Sequence, residues 1–355
     1  MNYGPSAELT TDLPNECVPN VAILSNIHFM TPRNKRLFLA AKAILALVII
    51  VAVGRHFANT LNNHDVSFDA VFDRWWNWIP VGLLYLGTHT TWGTFWWMLM
   101  RRQGVNLSWK LGLRTYFVSQ FGKYVPGKAW VLVVRAGLLR SVPGATPLVV
   151  GVTSAYETIV SMASGSILAG LLVPLTGIGG EYTNGRGPFL IAVAGLPVGL
   201  FLLIRLINRI GRMRYGQDVH LVRNPPVGLL LLGLVQAAFG WCLLALSVRL
   251  AVDAVVPDMN GPTFADLGGD LATIAVSYVV GFVVLVALGG LGPREYLLSE
   301  IFAIRLAGAT PNPASQAVLF AILLRLVWTT FEVAVAGSAY LFGRRLAAKP
   351  EEAKP

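Results

Sequence analysis

Long apolar runs recur along this chain and constrain its fold more than any other feature of the sequence. Seven of them have about the 20 residues that an α-helix needs to cross a bilayer. They cover residues 37–54, 79–100, 147–173, 188–207, 226–250, 271–289 and 314–342. Of all 355 residues, 55% are hydrophobic and only 13% are charged, well below the roughly 25% of charged residues that soluble domains carry. We therefore expect an all-α, polytopic membrane protein. The composition argues against a soluble enzyme, a disordered chain and a nucleic-acid-binding module.

The distribution of basic residues predicts the orientation of these helices. Arg and Lys cluster in four stretches, 33–36, 101–114, 205–223 and 344–354. Because cytoplasmic loops are enriched in Arg and Lys, we expect both termini to be cytoplasmic in a multi-pass protein of the cell (inner or cytoplasmic) membrane. Residues 1–36 would form a polar tail, 37–342 a single transmembrane domain and 343–355 a basic tail. The net charge of +10 is then largely a consequence of topology and does not require a nucleic-acid partner.

Two further apolar segments, 115–140 and 289–308, are interrupted by Gly, Pro and charged residues. The first lies between two cytoplasmic connections, so it must enter and leave on one side, as a re-entrant hairpin or an in-plane amphipathic helix. The second must cross if the last helix ends in the cytoplasm, which gives about 7–8 transmembrane helices. Each broken segment is followed by Pro and a long helix with a central charge, Glu157 or Arg325. Such paired interruptions are typical of transporters built from inverted repeats.

The first broken segment contains the spacing of a phosphate-binding loop between Gly122 and Lys128. Nucleotide hydrolysis is not expected, because Ala129 replaces the magnesium-binding hydroxyl residue and no βαβ unit surrounds the motif. A helix that begins after Pro126 and Gly127 would still favour an anion at its N-terminus. We predict a lipid- or phosphate-binding site at Gly122, Lys123, Pro126, Gly127, Lys128 and Arg135. Alternatively, these cations only anchor the segment at anionic headgroups.

The second broken segment runs from Gly289 to Glu295 and contains three glycines and one proline. Unwound backbone at membrane depth is tolerated only where it is buried in protein or lines a cavity. Gly290, Gly292 and Arg294 are therefore added to the predicted phosphate-binding site. The alternative is an ordinary turn in which Arg294 pairs with Glu295.

Four ionisable residues inside apolar segments are predicted to pair or to gate a path, since such residues usually face the interior of a helix bundle. They are Glu157, Glu295, Arg325 and Glu332. The simplest arrangement pairs Glu157 with Arg325 or Arg294 across the bundle. A purely structural ion pair is the alternative. The patch Thr88-His89-Thr90-Thr91 is expected to connect helices.

No residue pattern in the chain indicates catalysis or metal binding. The five histidines, at 28, 56, 64, 89 and 220, have no metal-ligand spacing, and no Ser/His/Asp set can be assembled. We predict no cofactor, no metal and no catalytic residue, and expect a transporter rather than an enzyme.

The motifs together resemble a known family. Phe-Gly-Lys-Tyr-Val-Pro-Gly-Lys at 121–128, Arg135, Glu157, Gly-Gly-Leu-Gly-Pro-Arg-Glu at 289–295 and Arg325 are similar to the lysylphosphatidylglycerol synthase transmembrane (flippase-like) family, over residues 40–342. The resemblance implies a bacterial or archaeal membrane domain that moves an aminoacylated phospholipid between leaflets. It also implies a lipid-handling site at Lys123, Lys128, Arg135, Glu157, Arg294, Glu295 and Arg325. We expect a stand-alone member without the soluble aminoacyl-transfer domain, so the synthase activity is not implied.

The functional expectation is a lipid translocase that acts on an anionic or lipid-linked headgroup. Its expected partners are membrane lipids, either an anionic phospholipid or a polyprenyl-linked lipid, and a separately encoded lipid-modifying enzyme. One alternative is a membrane enzyme, or an accessory subunit of a glycosyltransferase or aminoacyl-lipid pathway, with Glu157 or Glu295 as general base. That alternative lacks the carboxylate spacing or metal site that would support it. Another alternative is a non-catalytic membrane scaffold.

Overall fold

The computed structural model describes residues 51, 54–55, 57–60, 75–124, 130–178, 223–256, 264–283 and 292–347. Over these residues the chain is helical apart from short connections, which confirms the all-α prediction for this part. We label the main helices α1 (Trp78–Arg102), α2 (Trp109–Ser119), α3 (Trp130–Leu138), α4 (Pro147–Thr176), α5 (Val227–Val255), α6 (Phe264–Val283), α7 (Pro293–Leu306) and α8 (Pro313–Ala347). Short 3₁₀-helices, Trp75–Asn77 and Gln120–Tyr124, precede α1 and follow α2.

Three of these helices are long and apolar enough to cross a membrane, namely α4, α5 and Pro313–Leu341 of α8. Large apolar side chains on them, such as Leu171, Val235 and Leu326, are exposed, as expected of surfaces that contact lipid. The predicted span 79–100 and residues 271–283 of the predicted span 271–289 are helical, in α1 and α6, but are not among these three helices. The span 188–207 lies outside the described residues, and 37–54 does so apart from residues 51 and 54. The count of seven or eight crossings therefore stays a prediction.

The helix ends follow ordinary capping chemistry. At the start of α4, the Thr146 hydroxyl accepts a hydrogen bond from the Val149 amide at 3.3 Å, and Pro147 occupies the first helical position. Gly177 ends the same helix in the left-handed conformation, with φ of 66°. Ser108 caps α2 in the same way as Thr146 caps α4.

Close helix packing depends on small residues that face large aromatic rings. An added Cβ at Gly233 on α5 would lie 2.3 Å from the Phe95 ring of α1, and one at Gly165 on α4 would lie 2.5 Å from Trp241 of α5. Because apolar side chains gain little from burial when the surrounding solvent is also apolar, such tight packing is a main source of helix association in membranes. The described core contains fully buried Trp96, Trp241 and Trp328.

One end of the bundle is basic. Gln103, directly after α1, exchanges two hydrogen bonds of 2.7 Å with the backbone of Arg223 before α5. Arg114 on α2 donates a 2.9 Å hydrogen bond to the Ala339 carbonyl near the end of α8. We call this end, with Arg101, Arg102, Arg114 and Arg223, the basic end. The positive-inside rule groups these same residues on one side; that this side is the cytoplasm stays a prediction.

The two broken segments form parts of two antiparallel helix pairs. In the first pair, α2 and α3, Arg135 donates to Ser119 at 3.1 Å, and a Cβ at Gly122 would lie 2.4 Å from the Val131 backbone nitrogen. In the second pair, α6 and α7, a Cβ at Gly281 would lie 3.0 Å from the Cβ of Arg294. The 14 residues of α7 span about 21 Å, which is less than a bilayer core of about 30 Å.

The two pairs extend from opposite ends of the bundle. The pair α2–α3 begins and ends near the basic end, where Gly144 after α3 approaches Val105 after α1. The start of α6 lies at the other end, because a Cβ added at Gly268 would lie 3.4 Å from Thr176 and 3.9 Å from Leu172 at the far end of α4. Each pair therefore brings its inner tip, around Gly122 or Gly292, toward the middle of the bundle.

Candidate functional site

Lys123, at the inner tip of the first pair, reaches a carboxylate on the last long helix. Its Nζ forms an ion pair with Glu332 Oε2 and lies 3.4 Å from the hydroxyl of Tyr85. The Tyr85 hydroxyl donates a 2.8 Å hydrogen bond to the same Glu332 oxygen. The Glu332 side chain is only 2% exposed, whereas that of Lys123 is 19% exposed. A buried carboxylate is thus held by one cation and one phenol from two different helical segments.

Arg294 and Glu295, at the inner tip of the second pair, form a second charged group. Arg294 donates to Glu295 Oε1 through Nη2 at 2.6 Å and through Nε at 3.1 Å. The Gly292 amide donates to Glu295 Oε2 at 2.9 Å and so caps α7. Gly292 has φ of 95°, a conformation that glycine adopts without the steric penalty of a side chain. Arg325 on α8 lies 3.8 Å from Glu295.

An aromatic wall connects these two groups. The Arg294 guanidinium lies 4.3 Å from the ring centroid of Tyr278 and 6.0 Å from that of Trp328, within reach of cation–π attraction. Trp328 stacks on Tyr85 with centroids 5.0 Å apart and an interplanar angle of 12°. We call Lys123, Arg294, Glu295, Arg325 and Glu332 the central charge cluster. Three cations and two carboxylates give it a formal charge of +1.

A third polar group lies between the first pair and α4. Arg135 is 2% exposed and donates to Ser119 at 3.1 Å and Ser154 at 2.9 Å. Its guanidinium lies 4.5 Å from the ring centroid of Trp96 and 4.6 Å from that of Tyr116. The Tyr116 hydroxyl donates a 3.2 Å hydrogen bond to Glu157. Tyr116 thus connects the buried cation to the buried carboxylate.

The expected pairing of Glu157 with Arg325 or Arg294 is wrong. Glu157 is hydrogen-bonded by Tyr116, whereas both arginines contact Glu295. The physical reason is that the centre of α4 faces the α2–α3 pair, while the centre of α8 faces the inner tip of α7. The local Arg294–Glu295 pair foreseen for an ordinary turn is present, but it is buried and adjoins Arg325.

The predicted phosphate site is only partly within the described residues. Lys123, Gly292, Arg294 and Arg325 are brought to the central charge cluster, and Arg135 lies in the third group. Gly122 does not present an open loop, because its Cα packs against the backbone of Trp130 and Val131. The predicted site residues Pro126, Gly127, Lys128 and Gly290 lie outside the described residues.

Sequence reasoning missed the aromatic members of the site. Tyr85, Tyr116, Tyr278 and Trp328 carry no charge and stand in apolar runs, so only their depth within a helix and their polar tips could have indicated them. The patch at 88–91 connects helices as expected, because Thr88 donates to the Gly240 carbonyl of α5 at 3.0 Å. His89 packs edge-on against Tyr85 with ring centroids 4.5 Å apart.

The chemistry of the central charge cluster favours binding of an anion. Its formal charge is positive. Arg325 makes no hydrogen bond among the described residues and forms only a 3.8 Å ion pair with Glu295. Within the same part of the chain, no three His, Cys, Asp or Glu side chains are grouped as metal ligands. A comparison with models of known protein families found no match, and a search among curated proteins found no similar sequence.

Proposed function

We propose that this protein is a flippase-like lipid translocase of the cell membrane that acts on lipids with an anionic or lipid-linked headgroup. The observation that supports it best is that Lys123, Arg294 and Glu332 lie together in the central charge cluster. They come from the two oppositely directed helix pairs and from α8. Ionisable side chains inside a membrane are costly and usually serve transport paths.

In this proposal, α2–α3 is a re-entrant hairpin from the cytoplasm and α6–α7 enters from the opposite side. The chain would cross the membrane seven or eight times, with both termini cytoplasmic and the two broken segments related as inverted repeats. The antiparallel contacts at Gly122 and Gly281 support this topology. Transporters with inverted repeats place their substrate site where the interrupted helices meet, which here is the central charge cluster.

The phosphate of the lipid would bind to the excess positive charge of this cluster. Arg325 is the natural first contact, because its side chain is 16% exposed and its guanidinium has unused donors. Arg binds phosphate through two parallel hydrogen bonds. An anionic phospholipid and a polyprenyl-phosphate-linked lipid share this group, and a separately encoded lipid-modifying enzyme would produce the substrate.

Movement of the headgroup would proceed by exchange of ionic partners. Lys123 would release Glu332 and bind phosphate, while Tyr85 keeps its hydrogen bond to the carboxylate. Arg325 would then compete with Arg294 for Glu295. Since an unpaired charge in a medium of low polarity is strongly disfavoured, each cation would leave one anion only when it meets another.

The test uses purified full-length protein in proteoliposomes containing a trace of headgroup-intact, acyl-labelled fluorescent lipid. Phosphatidylglycerol, phosphatidylethanolamine and a polyprenyl-phosphate lipid are compared, and dithionite reports which leaflet carries the label. We expect Arg325→Gln and Lys123→Met to lower the rate at least tenfold for a transported lipid, since a charge-assisted hydrogen bond is worth about 1.5–3 kcal/mol. Lys110→Met is the matched control, because Lys110 is exposed at the basic end.

The proposal fails if every lipid stays in its original leaflet as it does in protein-free vesicles. It also fails if Lys110→Met slows movement as much as Lys123→Met, because loss of any surface cation would then explain the effect.

A further inference from the structure

A cavity of about 600 Å³ lies at the end of the bundle opposite the basic end. It is bounded by the end of α4, the end of α5, the start of α6 and the end of α7, and Phe302 and Arg305 of α7 form part of its wall. The other end of α7 carries Arg294 and Glu295. The contact surface between α6 and α7, which we call the α6–α7 seam, therefore leads from this cavity to the central charge cluster.

Two contacts fix the register of the α6–α7 seam. Asp270 of α6 accepts a 2.5 Å hydrogen bond from Arg305, and a Cβ added at Gly281 would lie 3.0 Å from the Cβ of Arg294. The two positions on each helix are 11 residues apart, which is about three turns. Residues 270 to 281 of α6 therefore run alongside residues 305 to 294 of α7.

A polar stripe on α6 faces this seam. It consists of Asp270, Thr273 and Ser277, all of which are fully buried. Ser277 comes seven residues after Asp270 and four before Gly281, so at about 100° per residue it points to within about 40° of both. Because Asp270 and Gly281 approach α7, Ser277 faces α7 as well. In this register it lies opposite Leu298, whose side chain has no polar group.

Two oxygens of the stripe have no hydrogen-bond partner among the described residues, namely Asp270 Oδ2 and Ser277 Oγ. The ion pair with Arg305 occupies only Oδ1 of Asp270. The Ser277 hydroxyl also differs from that of Thr273, which donates to the Gly269 carbonyl one turn back at 2.8 Å. A buried polar oxygen without a partner is costly, and buried water is the usual partner of such groups.

Phe302 separates the cavity from Ser277. In the same register it lies at the level of Thr273, between Asp270 and Ser277. The side chain is 2% exposed, and its ring packs against Phe320 with centroids 4.6 Å apart. A solute that moves from the cavity along the seam must therefore displace the Phe302 ring.

We infer that the α6–α7 seam is a hydrated entry site, in which Asp270 Oδ2 and Ser277 Oγ bind water and small anions pass from the cavity to Arg294. The positive charge of the central charge cluster favours anions at the inner end of this site. Hydration of the seam is independent of the proposed function, whereas its use by a lipid phosphate rests on that function.

The test measures access to a cysteine at position 277 in the purified full-length protein. Ser277→Cys and Ala275→Cys are each made together with Cys17→Ser and Cys242→Ala, which remove the two native cysteines. Ala275 is the matched control, because it is 0% exposed but points away from α7. The anionic reagent 2-sulfonatoethyl methanethiosulfonate is added, and intact-protein mass spectrometry follows its attachment. We expect Ser277→Cys to react roughly tenfold faster or more, because the reactive thiolate forms where water has access.

Two further variants locate the route to Ser277. Gly268→Leu adds volume inside the cavity, where a Cβ has ordinary contacts with Thr176 and Leu172, and should slow the labelling of Ser277→Cys several-fold. Phe302→Ala should accelerate it several-fold. An unchanged rate in Gly268→Leu would overturn the cavity as the entry, and an unchanged rate in Phe302→Ala would overturn the separating role of that ring.

Equal labelling of Ser277→Cys and Ala275→Cys would overturn the entry site. Hydroxyl-radical footprinting with pulsed X-rays needs no substitution and tests hydration directly, because it oxidises side chains next to bound water. We expect Leu298, opposite Ser277, to be oxidised several times faster than the similarly buried Leu244. Equal oxidation of the two leucines would overturn hydration of the seam.

The proteoliposome assay separates this inference from the proposed function. Labelling of Ser277→Cys without lipid movement would sink only the proposed translocase. Lipid movement without labelling would overturn only the entry site in the α6–α7 seam.

Discussion

Lys123 and Glu332 are 209 positions apart in the chain and form an ion pair inside the helix bundle. The pair joins the inner tip of α2–α3 to the middle of α8, and Tyr85 of α1 adds a hydrogen bond to the same carboxylate. Three separate parts of the chain therefore share one buried charge. A competing anion would reach this pair through Lys123, the more exposed of its two side chains.

Removal of one partner of this pair should destabilise the protein more than removal of both. We expect Glu332→Gln to lower the free energy of unfolding by about 2–4 kcal/mol, because the partly buried ammonium group of Lys123 loses its counter-charge. The double variant Lys123→Met/Glu332→Leu should be more stable than Glu332→Gln, since no isolated charge remains. Thermal unfolding of the detergent-purified protein measures both.

Glu300→Gln is the control for that comparison, because Glu300 is exposed on α7 and exposed ion pairs contribute little. If the double variant is less stable than both single variants, Lys123 and Glu332 stabilise the protein through other contacts and the prediction is wrong.

We expect that lysine cannot replace Arg135 without a loss of stability, although both side chains carry one positive charge. Arg135 has the aromatic rings of Trp96 and Tyr116 within 4.6 Å and hydrogen bonds to two serines. Arg135→Lys keeps the charge but loses the planar stacking and the fixed fork of donors. We expect a loss of about 2–3 kcal/mol in the free energy of unfolding, the combined value of cation–π stacking and charged hydrogen bonds. Thermal unfolding of the detergent-purified variant measures this loss.

Tyr116→Phe is the informative comparison for this site. It keeps the ring under Arg135 and removes only the hydrogen bond to Glu157, so its loss should be smaller, about 1 kcal/mol. A larger loss for Tyr116→Phe than for Arg135→Lys would show that the hydroxyl, not the stacking, holds the group together.

The sequence could locate most of the buried charges but, apart from the local Arg294–Glu295 pair, not their partners. Lys123, Arg135, Glu157, Arg294, Glu295, Arg325 and Glu332 stood out because a charge inside an apolar run is a local signal. The choice of partner depends on the rotation of each helix about its axis. Glu157 and Arg325 have similar central positions in their helices, yet they face different neighbours. Tyr85 and Tyr116 complete the site without any charge to indicate them.

The hairpin formed by α2 and α3 corresponds to one of the two arrangements predicted for 115–140, the other being an in-plane amphipathic helix. Both followed from the expectation that the connections before and after this segment lie on one side. The short helix α7 could be predicted as well, because the Gly/Pro interruption leaves room only for a short helix before the segment ends near 308. Pro293 and Gly292 predict where this helix begins, and it ends at Leu306, two residues before the end of the broken segment.

Helix packing should be most sensitive to volume where glycine faces an immobile ring. Gly165→Ala would place a Cβ 2.5 Å from the Trp241 ring, whose Nε1 donates to the Ser161 carbonyl at 2.9 Å and cannot move without losing that bond. We expect a loss of about 1–3 kcal/mol, the usual cost of overpacking. Gly151→Ala on the same helix has no neighbour within 4 Å and should be neutral or slightly stabilising. Thermal unfolding of the two variants checks the difference, and equal stability would contradict the close contact.

Gly122 should be required for backbone approach between the two arms of the first hairpin rather than for phosphate binding. A Cβ there would lie 2.4 Å from the Val131 nitrogen and 2.6 Å from the Trp130 carbonyl carbon, so Gly122→Ala must force the arms apart. Because Lys123 is the next residue, this shift should also break its ion pair with Glu332. We expect a loss of at least about 2 kcal/mol from the combined steric and ionic effects. In the proteoliposome assay, we also expect loss of lipid movement.

Gly137→Ala, in the same hairpin and without a neighbour within 4 Å, is the matched control. Unchanged stability together with weaker lipid binding in Gly122→Ala would instead assign Gly122 to the ligand.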